Sequence, residues 1–289
     1  MKCLALASVA VGACIFTGPR SSYTAVPKAA PAIASTAGDD LLKFVPAGAQ
    51  VVIEIDLARL YANPTIGDAA KRAIASPDPS LLLPRVDAPL ASAKMIVMAA
   101  YDVGTADATT ATIVATRGEV PNGVAIADGV IALAPPPMIE RIRAHGPSIA
   151  SDQGFMALRA RAMPDGAPGA TVRMTARLDL DARIALAPVL GPDLAPASLS
   201  LWADVVDDAA MVAILDGHDA EAGGGSRLYA ALERTRVAVA GSTSLIHLGL
   251  VPTLREATFT RAGEVVKVVA TIGPKRLRAL ADALYPRSP

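Results

Sequence analysis

Cysteine and aromatic residues are scarce in this sequence. The 289 residues include only two cysteines, Cys3 and Cys14, and both lie near the N-terminus. The remainder of the chain therefore has no disulfide framework and no cysteine ligands for a metal. Aromatic residues make up 3% of the chain, whereas apolar residues make up 52%. We therefore expect a core built from small aliphatic side chains rather than from aromatic clusters.

The sequence also lacks a net charge. Its 27 Lys and Arg residues balance its 27 Asp and Glu residues. Without a surplus of positive charge, the chain has no long-range field that would attract nucleic acid. We expect no nucleic-acid partner.

Motifs for the common chemistries are missing as well. The sequence contains no Gly-x-Ser-x-Gly stretch and no Gly-Lys pair, so it offers neither a nucleophile elbow nor a phosphate-binding loop. Its three histidines, His145, His218 and His247, are far apart in the chain. We expect no metal site and no cofactor. Residues 223–225, three glycines, are interpreted as a linker, and Ser226 is interpreted as the cap of the following helix.

The N-terminal segment is typical of export. Met1-Lys2 is followed by an uncharged apolar run up to Ala13, which is the layout of a secretory signal. The run is shorter than the about 20 residues that cross a bilayer. We predict that residues 1–13 are a signal peptide and that the protein is exported. The alternative is a signal peptide cut later, at Ala32-Ile33-Ala34.

The end of this run, Val11-Gly12-Ala13-Cys14, resembles the lipobox of bacterial lipoproteins. The resemblance implies that Cys14 is lipidated and anchors the protein in a membrane of the bacterial envelope. Two or more acyl chains give stable attachment. Ile15, rather than an acidic residue, follows the cysteine, which resembles lipoproteins sorted to an outer membrane. Residues 14–39, rich in Pro and small residues, predict a flexible tether after the lipidated cysteine.

The remaining patterns predict an α+β fold made of two related units, residues 40–164 and residues 165–289. Each unit is expected to be a mainly antiparallel sheet packed on one side by helices. The order of elements recurs between the units, and Ile55-Asp56-Leu57 matches Leu178-Asp179-Leu180. We therefore expect an internal duplication.

Local signals place some of these elements. Asp128-Gly129 and Ala262-Gly263 lie between apolar runs and predict two-residue hairpins. Asn63-Pro64 predicts the start of a helix, with an N-cap followed by proline at the first helical position.

One segment carries a resemblance. Phe44-Val45-Pro46-Ala47-Gly48-Ala49-Gln50, a strand, and then Asp56-Leu57-Ala58-Arg59-Leu60 are similar to the start of uncharacterised secreted or lipidated envelope proteins of bacteria. The resemblance implies an envelope location and no known activity.

Strand alternation in the second unit predicts a candidate binding surface. Arg173 and Arg177 alternate with apolar residues on one strand, and Trp202 falls on the matching polar face of the next strand. Exposed Trp and Arg side chains are favoured in recognition, so this face could bind an envelope protein or a glycan. The alternative is that a loop or a helix covers Trp202.

Three functional hypotheses follow. The first is a non-enzymatic envelope protein that binds or scaffolds a partner. The second is a carrier of an apolar ligand, which needs an apolar cavity. The third is a hydrolase using Asp56, Asp179 and His218, which requires these side chains to converge. Asp56 and Asp179 can instead cap the helices that follow them.

Overall fold

The computed structural model describes residues 37–75, 92–164, 169–190, 196–206, 210–218, 223–239 and 255–284, together with Ala167 and Leu194. The predicted signal peptide, Cys14 and most of the predicted tether lie outside these ranges. The helices are α1 (Ala37–Leu42), α2 (Leu57–Ala62), α3 (Gly67–Ala75), α4 (Pro136–Arg143), α5 (Gln153–Ala160), α6 (Leu180–Leu190), α7 (Gly224–Val239) and α8 (Pro274–Leu284). The strands are β1 (Val51–Asp56), β2 (Ala93–Tyr101), β3 (Thr109–Thr116), β4 (Val124–Ala127), β5 (Val130–Leu133), β6 (Val172–Arg177), β7 (Ser198–Val206), β8 (Ala210–His218), β9 (Thr258–Ala262) and β10 (Val265–Ile272).

The fold is α+β, as the sequence predicts. Its strands form one ten-stranded sheet in the order β4-β5-β3-β2-β1-β6-β7-β8-β10-β9. Every neighbouring pair is antiparallel. Reading outwards from the β1–β6 junction, each half places its strands in the order first, second, third, fifth, fourth. The two predicted units are therefore halves of a single sheet.

The junction fixes which side chains share a face. Glu54 on β1 lies opposite Arg173 on β6, and Arg173 lies opposite Trp202 on β7. These three define face A of the sheet. Because side chains alternate along a strand, Ile53 and Met174 point to the other side, face B.

Helices pack against both faces. On face A, α1, α4 and α5 contribute buried Leu42, Ile142 and Phe155 to the core of the first half. On face B, α6 and α7 bury Ala182 and Leu232 against the second half. Removing one such side chain would leave a cavity, because well-packed cores have few voids.

Both predicted hairpins are present. Gly129 and Gly263 have φ of 66° and 59°, a conformation that glycine adopts without strain, and they turn β4 into β5 and β9 into β10. The β4–β5 pair also contains a shift in register between Ala125 and Ala127.

Two boundaries differ from the sequence predictions, whereas the cap at Asn63 agrees with them. Helix α1 starts at Ala37, so the end of the predicted tether is helical. Asn63 ends α2 and also caps the next helical turn, as predicted, because its side chain accepts the backbone N–H groups of Thr65 and Ile66 and its carbonyl oxygen accepts that of Gly67, where α3 begins. The three glycines at 223–225 are not a linker, because α7 begins at Gly224.

The glycines at the start of α7 have a packing role. A Cβ on Gly225 would lie 2.6 Å from Cα of Glu264 and 2.7 Å from the carbonyl oxygen of Gly263. The Glu264 carboxylate accepts the N–H groups of Gly223 and Gly225, and these bonds lower its pKa. An acidic group from the β9–β10 turn therefore satisfies the first amides of α7. Within the described ranges, no helix is long and apolar enough to cross a membrane.

Candidate functional site

Trp202 is buried, so the predicted exposed Trp–Arg surface is wrong. Only 3% of Trp202 is exposed, and its indole N–H donates to the carbonyl oxygen of Gly169 at 2.7 Å. Ala162, Met163 and Ala170, from the segment that follows α5, pack against the ring. This segment covers the polar face, which is the alternative that the sequence left open. An apolar ring with one hydrogen-bond donor is stable there because that donor has a partner.

The centre of face A holds a buried ion pair that the sequence analysis missed. Nε and Nη2 of Arg159 on α5 donate to the two carboxylate oxygens of Glu54 on β1, at 2.6 and 2.7 Å. Asp39 on α1 lies 2.7 Å from Nη1 of the same guanidinium. The signal in the sequence is Glu54 itself, a single charge inside the β-branched run of β1. A buried charge requires a partner, and no pattern in the sequence identifies Arg159 as that partner.

Close approach of α1 completes this ion pair. A Cβ on Gly38 would lie 2.4 Å from Oε2 of Glu54 and 2.8 Å from the methyl group of Met95. Only glycine allows α1 to lie this close to the sheet. Helix α1 is therefore packed directly on the Glu54–Arg159 pair.

Arg173 has a different environment from Arg159. It is only 5% exposed, yet its Nε has no hydrogen-bond partner. Its Nη2 contacts the sulfur of Met163 at 3.5 Å, and a thioether is a weak acceptor. Burial, and then the neighbouring charge of Arg159, lower the pKa of Arg173. Thr175, fully buried two residues further along the same face of β6, also has a side-chain oxygen without a partner.

Arg177, the third predicted binding residue, is partly exposed and holds the start of α5. Its guanidinium pairs with the Asp152 carboxylate and lies 5.6 Å from the centre of the Phe155 ring. Asp152 also accepts the backbone N–H of Phe155 at 2.9 Å, which caps α5. The hydrogen bond from Arg177 is the main cause that lowers the pKa of Asp152.

The Asp-Leu-x-Arg-Leu segment joins the two halves. Asp56 caps α2 by accepting the backbone N–H of Arg59 at 2.8 Å. The Arg59 side chain then binds both carboxylate oxygens of Asp204 on β7, with Nε at 2.7 Å from Oδ1. Asp204 is buried and also accepts the hydroxyl of Thr171 at 2.6 Å. The motif that carries the sequence resemblance is therefore used for structure in this fold.

The two aspartates considered for acid–base chemistry lie apart. Asp179 caps α6 by accepting the backbone N–H of Ala182 and also accepts the side chain of Gln50 at 2.5 Å. Gln50 immediately precedes β1, and Asp56 ends it. At about 3.3 Å per residue, Asp179 and Asp56 are about 20 Å apart, too far to act on one bond. His218 lies at the end of β8, opposite Ser198 and Val265. No cluster of three metal-ligand side chains occurs among the described residues.

Helix α6 presents an exposed apolar face, which the sequence analysis also missed. Leu180 and Ile184, four residues apart and so on one side of the helix, are 67% and 61% exposed. The opposite side buries Ala182 and Leu186 against face B. The sequence signal is that α6 is apolar nearly all round, whereas a surface helix has a polar outer side. We call Leu180 and Ile184 the α6 patch.

The first half of the chain holds α6 in place. The Gln50 side chain bridges the cap residue Asp179 and the backbone N–H of Val103 at 2.6 Å. Gly104, with φ of 93°, packs so closely that a Cβ would lie 2.6 Å from the carbonyl oxygen of Asp181. The α6 patch therefore lies on a helix whose N-terminal end is held by Gln50 and packed against Gly104.

Known proteins resemble this chain in structure but not in sequence. No protein family and no curated protein matches the sequence. Among solved structures, crystal form III of the treponemal protein TP0453 is similar, with 9% identity and a TM-score of 0.46 over 84% of this chain and 97% of that one. Crystal form I of TP0453 gives 11% identity and a TM-score of 0.41, over 86% of this chain and 100% of that one.

Proposed function

We propose that this chain is a non-enzymatic, lipid-anchored protein of the bacterial envelope that binds another protein through the α6 patch. The observation that carries the proposal is that Leu180 and Ile184 are both strongly exposed and lie on the same side of α6. Within the described part of the chain, three large apolar side chains are strongly exposed, and two of them lie on one side of this helix. Single exposed apolar residues are common, whereas apolar residues grouped on one surface mark interaction sites.

Energetics favour a partner for this patch. Full burial of a Leu or Ile side chain is worth about 1.5–3 kcal/mol. The patch sits on a helix that Gln50 and Gly104 already hold, so a partner orders few additional groups on binding. Because α6 is already fixed, less of the free energy gained by burying Leu180 and Ile184 is offset by ordering the helix on binding.

The chemistry of the patch favours a protein over a glycan. Sugar recognition by this chain was expected to use Trp202, and that side chain is buried. The α6 patch is aliphatic and offers few polar atoms for sugar hydroxyls. An apolar surface of a second protein, such as one side of an amphipathic helix, has the matching chemistry.

The predicted anchor and tether are compatible with this role. Lipidation of Cys14 would hold the chain at a membrane surface. Residues 14–36, if fully extended, reach at most about 80 Å. A domain on a tether of this length can reach a partner in the envelope with its α6 patch.

Site-specific cross-linking tests the proposal. A photoreactive amino acid placed at Ile184 in the full chain, in its native cells, should give one dominant protein adduct. The matched control is the same substitution at Val237, which is 70% exposed on α7 but has no large apolar neighbour on its side of that helix within the described residues. The proposal is wrong if both positions give the same adducts or if neither gives one.

A further inference from the structure

Arg159 and Arg173 both lie over face A. Arg159 has hydrogen-bond acceptors for its Nε, whereas the Nε of Arg173 has none. Arg159 uses its Nε and Nη2 to bind both oxygens of a carboxylate, that of Glu54. Among the described residues, the same edge of Arg173 has no oxygen acceptor, because Nε lacks a partner and Nη2 contacts the Met163 sulfur. A bidentate carboxylate is the partner that this edge of a guanidinium fits best.

Among the described residues, the carboxylates that face this layer already have partners. Glu54 and Asp39 both serve Arg159, Asp204 serves Arg59 and Thr171, and Asp152 serves Arg177. Arg173 has no ion pair within the described residues. A buried donor without an acceptor costs about 1–3 kcal/mol, and more when it is charged. Most buried polar groups in proteins avoid that cost by finding a partner.

A second unsatisfied group lies beside Arg173. Thr175 is fully buried with its side-chain oxygen unpartnered, two residues along β6 and on the same face. A hydroxyl donates one hydrogen bond, so together the two side chains offer up to three donors to one acceptor group. Because both unpartnered groups lie on the same face of β6, one ligand can serve both.

We propose that Arg173 and Thr175 form a buried binding site for the carboxylate of a small ligand, which replaces the Met163 sulfur at the Nε–Nη2 edge of Arg173. Met163 is partly exposed, and its sulfur contacts the guanidinium. Its side chain is unbranched and flexible, so a change of rotamer opens the edge. Trp202 on β7 lies directly opposite Arg173 on β6 and so borders the proposed site.

The single tryptophan makes the site measurable. Trp202 lies next to Arg173 across the β6–β7 pair, so a carboxylate bound at Arg173 changes the surroundings of the indole. The full chain is titrated with sodium acetate while sodium chloride keeps the ionic strength constant, and Trp emission is recorded. We expect a saturable change, together with a rise in melting temperature as acetate binds the folded state. Parallel titrations with octanoate, N-acetylalanine and phosphate distinguish a fatty acid, a peptide C-terminus and a phosphate as the source of the oxyanion.

Variants separate the site from a general salt effect. Arg173→Met should raise the half-saturating acetate concentration roughly tenfold or more, as expected for loss of a charged hydrogen-bond partner. Arg177→Met is the matched control, an arginine on the same face whose loss should leave the titration unchanged. Thr175→Val, which keeps the shape of the side chain, should weaken binding by a smaller factor and provides the test if Arg173→Met does not fold.

Two outcomes would overturn the proposal. The first is an emission change that is linear or absent for every carboxylate in the wild-type chain. The second is an equal response in wild type, Arg173→Met and Thr175→Val.

Discussion

Glu54 and Arg159 are 105 residues apart in the chain and meet as a buried bidentate ion pair at the centre of the sheet. The pair joins β1 to α5, and Asp39 extends it to α1. Burial and hydrogen bonding of the carboxylate are both nearly complete, since only 4% of the Glu54 side chain is exposed. Breaking a buried pair from one side leaves the other charge uncompensated, which is its main energetic consequence.

Glu54→Gln should therefore lower the free energy of unfolding by about 3–5 kcal/mol. Urea titration followed by circular dichroism measures this value. Glu140→Gln, at an exposed position on α4, is the control and should change stability by less than about 0.5 kcal/mol. Equal midpoints for the two variants would show that the Glu54–Arg159 pair is dispensable.

Asp152→Asn should reduce the acid sensitivity of the protein. The pKa of Asp152 is lowered in the folded state, so its contribution to stability is present above the ordinary value of 3.8 and is lost as pH falls through the folded value. Asparagine still caps α5 through its one side-chain oxygen, so this change removes the charge and the acceptor of the Arg177 hydrogen bond. We expect wild type to be more stable by up to about 1 kcal/mol at pH 7, and by less at pH 2.5. A difference that is constant with pH would contradict this assignment.

Gly225→Ala should destabilise the protein by about 1–3 kcal/mol, because its Cβ would overlap the backbone of Gly263 and Glu264. Gly146→Ala is the matched control, since a Cβ there meets no atom within 4 Å. The comparison is made by thermal unfolding of the two variants. Similar melting temperatures would mean that α7 does not lie against the β9–β10 turn as described.

The elements with local signals could be predicted from the sequence. Two hairpins follow from glycines that must adopt positive φ, and the caps at Asp56 and Asp179 follow from carboxylates that precede helices. Alternation also predicts correctly that Arg173, Trp202 and Asp204 share one face. Each of these signals depends only on residues close together in the chain.

The features on which the proposed function and the proposed binding site rest depend on contacts between residues far apart in the chain. Whether Trp202 is exposed depends on the segment after α5, which lies more than thirty residues earlier in the chain. Glu54 lies opposite Arg173 in the sheet, yet it pairs with Arg159, because α5 brings that arginine to the carboxylate. Exposure of the α6 patch depends on what packs around the helix. Single-sequence periodicity contains none of this information.

Cys14→Ala should abolish lipid attachment. Metabolic labelling with a palmitate analogue, followed by gel detection of the full chain, should label wild type and not the variant. Cys3→Ala is the control and should label as wild type, because Cys3 lies within the predicted signal peptide. Labelling of the Cys14→Ala protein would contradict the predicted anchor.

The binding role of the α6 patch is tested most directly by its removal. Leu180→Ser combined with Ile184→Ser changes two exposed side chains, so the free energy of unfolding should move by less than about 1 kcal/mol. Recovery of the protein that cross-links from position 184 is then measured by affinity purification from native membranes, with Val237→Ser as control. We predict at least a tenfold loss of that protein for the double variant and none for the control. Undiminished recovery with the double variant would contradict the proposed function.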